Sequence, residues 1–351
     1  MEPRLSFLDR FLPAWIIIAM AAGLMLGAAL PGVRAVLGGA EVLGVSLPIA
    51  LGLLVMMYPP LAKVRYDKAW SMAFDKKVMA VSIIANWVVG PLVMFSLAWL
   101  FLPDAPELRT GVVIVGLARC IAMVVVWTDL ACSDRELTVV LVALNSLFQV
   151  CAFGGLGWFY LQVLPSWLGL DTSAVSFSLL QITASVLVFL GVPLLLAIIT
   201  RTVGERRKGR DWYQERFLPA VSPFALWGLL FTIVVLFSLQ GDRIIAEPAT
   251  VARVALPLVC YFVIMFMGTF LAARGLGLGY EQTSALSFTA AGNNFELAIA
   301  VCIGTFGTQS IEALAGTIGP LVEVPVLVAL VYVSRALRAR LFDDTPSVPR
   351  R

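Results

Sequence analysis

Histidine is absent from this sequence, and charged residues are scarce. None of the 351 residues is histidine, and Asp, Glu, Lys and Arg together make up only 13% of the chain. Without imidazole groups, a histidine-ligated metal site and a histidine proton relay are excluded, so any proton chemistry depends on carboxylates. A soluble domain carries about 25% charged residues. The scarcity of charge therefore argues against a water-soluble protein.

The motifs of the common enzyme classes are also missing. The sequence contains no phosphate-binding loop, no metal-ligand cluster and no nucleophile–base pair. Its cysteines form no C-x-x-C pair, so neither a disulfide framework nor a zinc site is expected; they are Cys120, Cys132, Cys151, Cys260 and Cys302. We expect a protein that is not an enzyme and that holds no resident metal or cofactor.

Long apolar windows fill most of the chain, which is 60% hydrophobic with a mean hydropathy of +0.94. A transmembrane helix needs about 20 apolar residues. Seven windows of this kind contain no charged residue, at 11–33, 42–62, 78–103, 137–170, 172–200, 217–241 and 254–273. Three more hold one central charge each, namely 110–128 with Arg119, 282–311 with Glu296, and 313–334 with Glu323. The sequence predicts an all-α integral membrane protein of about ten transmembrane helices, numbered spans 1 to 10.

Basic residues between the spans predict the orientation in the lipid bilayer. If the N-terminus is cytoplasmic, the cytoplasmic segments carry 20 Lys and Arg, against three or four outside. This is the positive-inside pattern. We therefore expect a multi-pass protein of the plasma or inner membrane with both termini in the cytoplasm. Since topology accounts for the basic loops, no nucleic-acid partner is expected, and the sequence predicts no particular oligomeric state.

Five spans in each half predict inverted repeats, a common transporter plan with the substrate site at the bilayer midplane. The halves are residues 1–170 and 171–351. Two short matches at offsets of 176 and 174 support them, pairing Gly52-Leu53-Leu54 with Gly228-Leu229-Leu230, and 145–150 with 319–324. The offset of 174 places Arg119-Cys120 of span 4 opposite Asn293-Asn294 of span 9. The Gly292-Asn293-Asn294 triplet is a poor helix former, so it predicts a break that lines a cavity.

Arg119 and Cys120 are the chemically distinctive residues of span 4. An arginine at mid-bilayer costs at least about 2.5–3.5 kcal/mol, so it requires a polar interior and a partner. Arg119 is either a structural residue paired with Glu323 or Glu296, or part of the transport site. Its positive charge favours the thiolate of Cys120. The other four cysteines are interpreted as small apolar packing residues.

The two carboxylates of spans 9 and 10 are candidates for proton transfer. Glu296 follows the predicted break and could alternately hold and release a proton, or could pair with Arg119. Glu323 lies between two prolines and could line the same cavity or form that pair. Asn145 and Gln149 in span 5 line the route or make polar contacts between helices.

Four stretches, 116–124, 145–149, 293–301 and 319–325, resemble the arsenical resistance-3 family of arsenite efflux permeases, within the bile acid/arsenite/riboflavin transporter superfamily. The resemblance implies ten helices in inverted five-helix repeats, with broken, crossing spans 4 and 9. It also implies export of arsenite, and in some members antimonite, in exchange for protons. The essential cysteine of the family corresponds to Cys120 and the essential glutamate to Glu296. Ala291-Gly292 is a mild departure, since a more polar residue is expected before the Asn pair.

The chemistry of arsenite agrees with these residues. Near neutral pH arsenite is mostly uncharged As(OH)₃, and one thiol, at Cys120, contacts arsenic(III) without holding it too firmly for release. Uphill export of a neutral solute needs a coupled ion, for which Glu296 could carry a proton. The alternative is a sodium-coupled organic-anion symporter of the same superfamily, which leaves Cys120 unexplained. A passive pore for neutral solutes does not suit central Arg and Glu residues.

Overall fold

The structure, a computed structural model, describes residues 12–29, 32, 41–42, 45–64, 76–170, 178–308 and 310–342. Nearly all of this part of the chain is helical. The strands in it are β1 (Glu41–Val42) and β2 (Val45–Ser46), which pair antiparallel just before the second helix. Seven of the basic residues counted for the orientation lie outside the described residues, namely Arg4, Arg10, Arg34, Arg65, Lys68, Arg350 and Arg351.

Twelve helices are numbered here in chain order within the described residues. They are α1 Leu12–Ala29, α2 Leu47–Lys63, α3 Lys76–Phe101, α4 Pro106–Leu117, α5 Val124–Leu130, α6 Arg135–Trp167, α7 Leu179–Lys208, α8 Leu218–Ala246, α9 Pro248–Gly275, α10 Tyr280–Ala291, α11 Phe295–Phe306 and α12 Ile311–Leu341. Short helical turns at 210–217 precede α8. π-helical turns interrupt α3 at Ala85–Val89, α6 at Phe159–Val163 and α7 at Leu187–Gly191.

Helix length and composition confirm an all-α membrane protein. Among the described residues, six helical segments are long and apolar enough to cross a membrane, namely α3, α6, α7, the segment Arg210–Gly241, α9 and α12. Segments in α1 and α2, together with α11, are shorter apolar helices. Every predicted window contains helix, and spans 4 and 9 each consist of two short helices, α4 with α5 and α10 with α11. The count of ten crossings and the inverted repeat stay predictions.

Large apolar side chains cover the outer surface of the helices. Leu180 on α7 is 78% exposed, Leu100 on α3 is 70% exposed and Trp227 on α8 is 63% exposed. Exposed apolar surface of this extent is unfavourable in water but matches lipid tails, which are as apolar as leucine.

The helices pack as two groups. The first group contains α1, α2, α7 and α8, in which α8 packs against α1 and α2, and α7 packs against α2. Glycines allow these close approaches, since a Cβ added at Gly27 would lie 2.4 Å from the Ser238 carbonyl oxygen. The second group contains α3 to α6 and α9 to α12, where α9 packs against α10 and α12, and α4 against α3 and α12. The first half of α7 also contacts α6 and α11 and joins the groups.

Basic residues stabilise helix ends that the sequence assigns to the cytoplasmic side. Arg201 of α7 donates from Nη1 to the Val64 carbonyl oxygen at the end of α2, at 2.5 Å. Arg274 at the end of α9 donates to the Leu341 carbonyl oxygen at the end of α12, at 3.4 Å. Cations near the C-terminal ends of helices also interact favourably with the helix dipole.

Candidate functional site

Spans 4 and 9 are both broken, and the breaks lie against each other. Residues 118–123 separate α4 from α5, and residues 292–294 separate α10 from α11. The two segments pair antiparallel through an isolated bridge between Arg119 and Asn293. The Cys120 N–H donates to the Gly292 carbonyl oxygen at 3.2 Å, and the Asn294 N–H to the Ala118 carbonyl oxygen at 2.9 Å. Each break therefore satisfies backbone groups of the other, as an apolar interior requires.

Side chains from α6 and α12 support the crossing on its two sides. The Arg119 N–H donates to Gln149 Oε1, and Gln149 Nε2 donates to the Arg119 carbonyl oxygen at 3.5 Å. The Asn293 N–H donates to Glu323 Oε1 at 3.4 Å. Residues 119 and 293, like residues 149 and 323, are separated by 174 positions. Side chains 174 positions apart thus hold backbone N–H groups that are also 174 positions apart.

Cys120 lies inside the crossing. Its side chain is buried, with 3% of its surface exposed. A Cβ added at Gly292 would lie 3.0 Å from the Cys120 Cβ, so the absence of a side chain there gives the cysteine its space. The thiol is also within electrostatic reach of the Glu323 and Glu296 carboxyls. One sulfur and two acids therefore share this site.

Glu296 faces a cavity of about 520 Å³ between the two helix groups. The non-helical residues Ile121, Ala122 and Met123 line the same cavity, next to Cys120 in the chain. Across from them lie Met56 of α2 and apolar residues of α8. Polar residues line the cavity nearer the helix ends, namely Lys63, Asp129, Arg135 and Gln214. The cavity thus extends from a polar end of the bundle to the crossing.

Arg119 is fully buried, and no carboxylate of the described residues pairs with its guanidinium. Nη1 donates to the Tyr261 hydroxyl at 2.5 Å and to the Ala290 carbonyl oxygen at 3.3 Å. Nε and Nη2 have no hydrogen-bond partner among the described residues. The structure therefore does not contain the ion pair of Arg119 with Glu323 or Glu296 that the sequence left open as one alternative. The guanidinium instead lies against α9, close to Gly90 of α3, where an added Cβ would be 2.8 Å from Nη1.

The asparagines occupy three different environments. The Asn293 side chain is buried, and neither Nδ2 nor Oδ1 has a hydrogen-bond partner within the described chain. Asn294 caps α11, because its Oδ1 accepts from the Leu297 N–H at 3.0 Å. Asn145 bonds away from the crossing, accepting from Trp87 Nε1 at 3.1 Å and donating to Asn86 Oδ1 at 3.4 Å. Seven of the eight predicted site residues meet at the crossing, and Asn145 lies one helical turn along α6.

Three residues at or near the site were not predicted. Tyr261 bonds the buried guanidinium, Trp87 bonds Asn145, and Met123 lines the cavity. Aromatic and methionine side chains are common in apolar spans, so the sequence carries no signal that singles them out. In the described residues, no three His, Cys, Asp or Glu side chains come together to hold a metal ion.

Comparison with known proteins places the chain in a family. The model of the Sodium Bile acid symporter family matches residues 50–247, more than half of the chain. The arsenical-resistance protein Acr3 of Corynebacterium glutamicum is 64% identical over 99% of this chain and 94% of its own length. The Acr3 of Alkaliphilus metalliredigens is 30% identical over 95% of this chain and 94% of its own, and an uncharacterized transporter, slr0944, of Synechocystis is 33% identical over 94% and 89%.

The two Acr3 relatives match nearly the whole chain, and the predicted resemblance is confirmed. The matched family is a transporter family, as the sequence predicts. The chain therefore belongs to the arsenical resistance-3 family of membrane transporters, within the sodium/bile acid symporter family.

Proposed function

We propose that this chain exports trivalent arsenite from the cytoplasm in exchange for protons. The observation that carries the proposal is the position of the Cys120 thiol, near the Glu296 carboxyl and next to the end of the cavity. Relatives from two organisms support an arsenical substrate, since both are named arsenical-resistance proteins. Antimonite, which is also trivalent and binds thiols, is a second substrate in this proposal.

Cys120 is the group that contacts arsenic. Its sulfur attacks As(OH)₃ and forms an S–As bond, while one As–O bond breaks and the thiol proton leaves with that hydroxyl as water. Because a single sulfur takes part, water reverses the step and releases arsenite on the other side of the membrane. The Asn293 amide, which has no hydrogen-bond partner among the described residues, bonds the remaining hydroxyls in this proposal, and Asn294 fixes the start of α11 beside it.

Glu296 carries the exchanged proton. As(OH)₃ is neutral, so its movement against a concentration gradient must be coupled to another ion. Glu296 is a carboxyl that lines the cavity at the crossing, and it can hold a proton when the cavity is open to one side and release it on the other. Glu323, Arg119, Gln149 and Asn145 act as positioning residues, because their polar contacts are with the backbone of the crossing or with neighbouring helices.

Alternating access follows from the two helix groups. The cavity between them ends at Lys63 and Arg135, which the positive-inside pattern assigns to the cytoplasm, together with both termini. Away from this end, Gln240 of α8 donates to the Thr308 carbonyl oxygen at 3.3 Å and joins the groups. This arrangement is the state open to the cytoplasm, in a protein of the plasma or inner membrane. Rocking of one group against the other exposes the site to the outside.

The halves 1–170 and 171–351 are proposed to be inverted repeats. The equivalent contacts of Gln149 and Glu323 at the crossing support this division. Helix packing supports it as well, because α8 packs against α1 just as α7 packs against α2. An inverted repeat supplies two similar halves that can exchange their conformations, which is the physical basis of alternating access.

The test is arsenic accumulation in cells that lack their own arsenite exporter. We expect the wild-type chain to lower cellular arsenic and to raise the arsenite concentration that permits growth. Cys120→Ser should abolish both effects at equal protein level, whereas Cys302→Ser, which removes another buried thiol, should leave them unchanged. If cells with Cys120→Ser exclude arsenic to the same extent as cells with the wild-type chain, the proposal is contradicted. Sodium-dependent uptake would favour the symporter.

A further inference from the structure

A second cavity lies on the lipid-facing side of the molecule, between α3 and α9. It has a volume of about 490 Å³ and is separate from the substrate cavity. Ala80, Val81, Ile84, Ala85 and Val89 line it from α3, Gly268, Thr269 and Ala272 line it from α9, and Leu276 lines it directly after α9. Except for the Thr269 hydroxyl, these groups are apolar. The walls therefore suit a hydrocarbon chain.

One end of this groove carries two lysines. Lys76 and Lys77 in the first turn of α3 line it, and both are exposed. The helices run antiparallel, because Gly90 of α3 approaches the Tyr261 hydroxyl of α9 while Val78 shares an apolar cluster with Ala273. Leu276, which directly follows α9, therefore lies toward these lysines. Basic pockets between transmembrane helices bind anionic lipid head groups. The groove thus combines a cationic end with an apolar body.

The length of the groove matches one leaflet of a bilayer. From Lys76 to Val89 it extends about 20 Å along α3, at about 1.5 Å per residue. Half of the hydrocarbon core is about 15 Å thick. A head group at the lysines would therefore place its acyl chain along the full groove. A Cβ added at Gly268 would meet no atom within 4 Å, so space for the chain is open at that point.

We propose that this groove binds one anionic phospholipid, with its phosphate at Lys76 and Lys77 and an acyl chain between α3 and α9. The bound chain would contact Ala85 and Val89, which begin and end the π-helical turn of α3. The same turn carries Asn86 and Trp87, which bond Asn145 on α6. The lipid would therefore stabilise α3 where it contacts the helices around the crossing.

The test uses the purified full-length protein and two lipids with identical acyl chains, phosphatidylglycerol and phosphatidylcholine. Native mass spectrometry should show retention of one phosphatidylglycerol in preference to phosphatidylcholine. Lys76→Gln with Lys77→Gln should weaken its affinity roughly thirty-fold, as expected for the loss of two lysines at a membrane surface. Lys76→Arg with Lys77→Arg should retain it, as should the control pair Arg206→Gln with Arg207→Gln, which removes two exposed charges at the end of α7.

Gly268→Leu tests the contribution of the acyl chain separately from that of the head group, because it fills the groove and leaves the lysines in place. It should lower retention of phosphatidylglycerol, and free glycerophosphoglycerol should not bind the wild type in place of the lipid. The proposal is overturned if the lysine variants retain phosphatidylglycerol like wild type, if wild type shows no preference between the lipids, or if the groove is covered by a second copy of the chain in a lipid-free dimer.

Discussion

At the residue scale, the most demanding environment belongs to Arg119. Its guanidinium is fully buried, and only Nη1 has hydrogen-bond partners among the described residues. Those partners are the Tyr261 hydroxyl and the Ala290 carbonyl oxygen, neither of which carries a charge. Loss of either neutral partner should lower the stability of the folded protein, because a buried polar group without a hydrogen bond costs free energy.

Tyr261→Phe removes one of these partners without changing the shape of the ring. We expect the variant to lose about 1–3 kcal/mol of stability, the cost of leaving a buried polar group without its hydrogen bond. The thermal unfolding midpoint of the purified protein measures this loss. Tyr332→Phe is the matched control, since Tyr332 is 69% exposed on α12. Equal midpoints for the two variants would contradict the role assigned to Tyr261.

Gly292→Ala tests whether the space around Cys120 matters for transport. The added methyl group would lie 3.0 Å from the Cys120 Cβ, so the cysteine must shift by a few tenths of an ångström. We expect slower arsenite transport at unchanged protein level, measured in cells that lack another exporter. Gly155→Ala on α6 is the control, because its added Cβ meets no atom within 4 Å. Wild-type rates for Gly292→Ala would show that the site tolerates this displacement.

The sequence identifies the site residues that are isolated polar groups in apolar windows. Arg119, Glu296 and Glu323 stand out because each is the one charged residue of its span. Their neutral partners do not stand out in this way. Tyr261 is one of many aromatic residues in the spans, and its contact with Arg119 depends on how α9 packs, which no local pattern encodes.

At the element scale, the two broken spans form for different reasons. Gly292-Asn293-Asn294 disfavours a helix by composition, so the break in span 9 is predictable. Residues 118–123 contain no proline or glycine, and only the 174-residue offset and the family resemblance predict their break. The structure supplies the reason, because the backbone of residues 118–120 pairs with residues 292–294 instead of continuing α4.

Glu323 supports the crossing through its side-chain oxygen, and two substitutions separate this role from its charge. Glu323→Gln keeps an oxygen that accepts from the Asn293 N–H, so we expect a folded protein with a nearly unchanged unfolding midpoint. Glu323→Leu leaves that N–H buried and unpaired, at a cost of about 1–3 kcal/mol. Gln149→Leu should destabilise the opposite side of the crossing similarly. If Glu323→Leu is as stable as Glu323→Gln, the contact with Asn293 does not support the break.

At the scale of the whole molecule, the cavity between the helix groups is the feature on which the proposed access to the site depends. The groups are held together away from the cavity mouth by the hydrogen bond from Gln240 to the Thr308 carbonyl oxygen.

Composition and window length predict an all-α membrane protein because lipid exposure dictates both. The grouping of helices depends on close packing at particular glycines, such as Gly27 against Ser238, which spacing alone does not reveal.

Ser222 on α8 lines the cavity and provides a probe of its opening. In a Cys132→Ser background, Ser222→Cys should react with a membrane-impermeant maleimide in everted vesicles and not in intact cells. Ala249→Cys is the counterpart, because Ala249 is exposed at the start of α9, which the orientation assigns to the outside. It should react in intact cells. Labelling of Ser222→Cys from outside alone would reverse the proposed orientation of the cavity.

The pairing of one sulfur with one acid at the crossing is tested most directly by arsenite uptake into everted membrane vesicles, with and without an imposed proton gradient. Wild-type vesicles should accumulate arsenite only when the gradient is present. Cys120→Ser and Glu296→Gln should each abolish gradient-driven accumulation while Cys302→Ser retains it. Full accumulation by either Cys120→Ser or Glu296→Gln, or accumulation that ignores the gradient, would contradict the account.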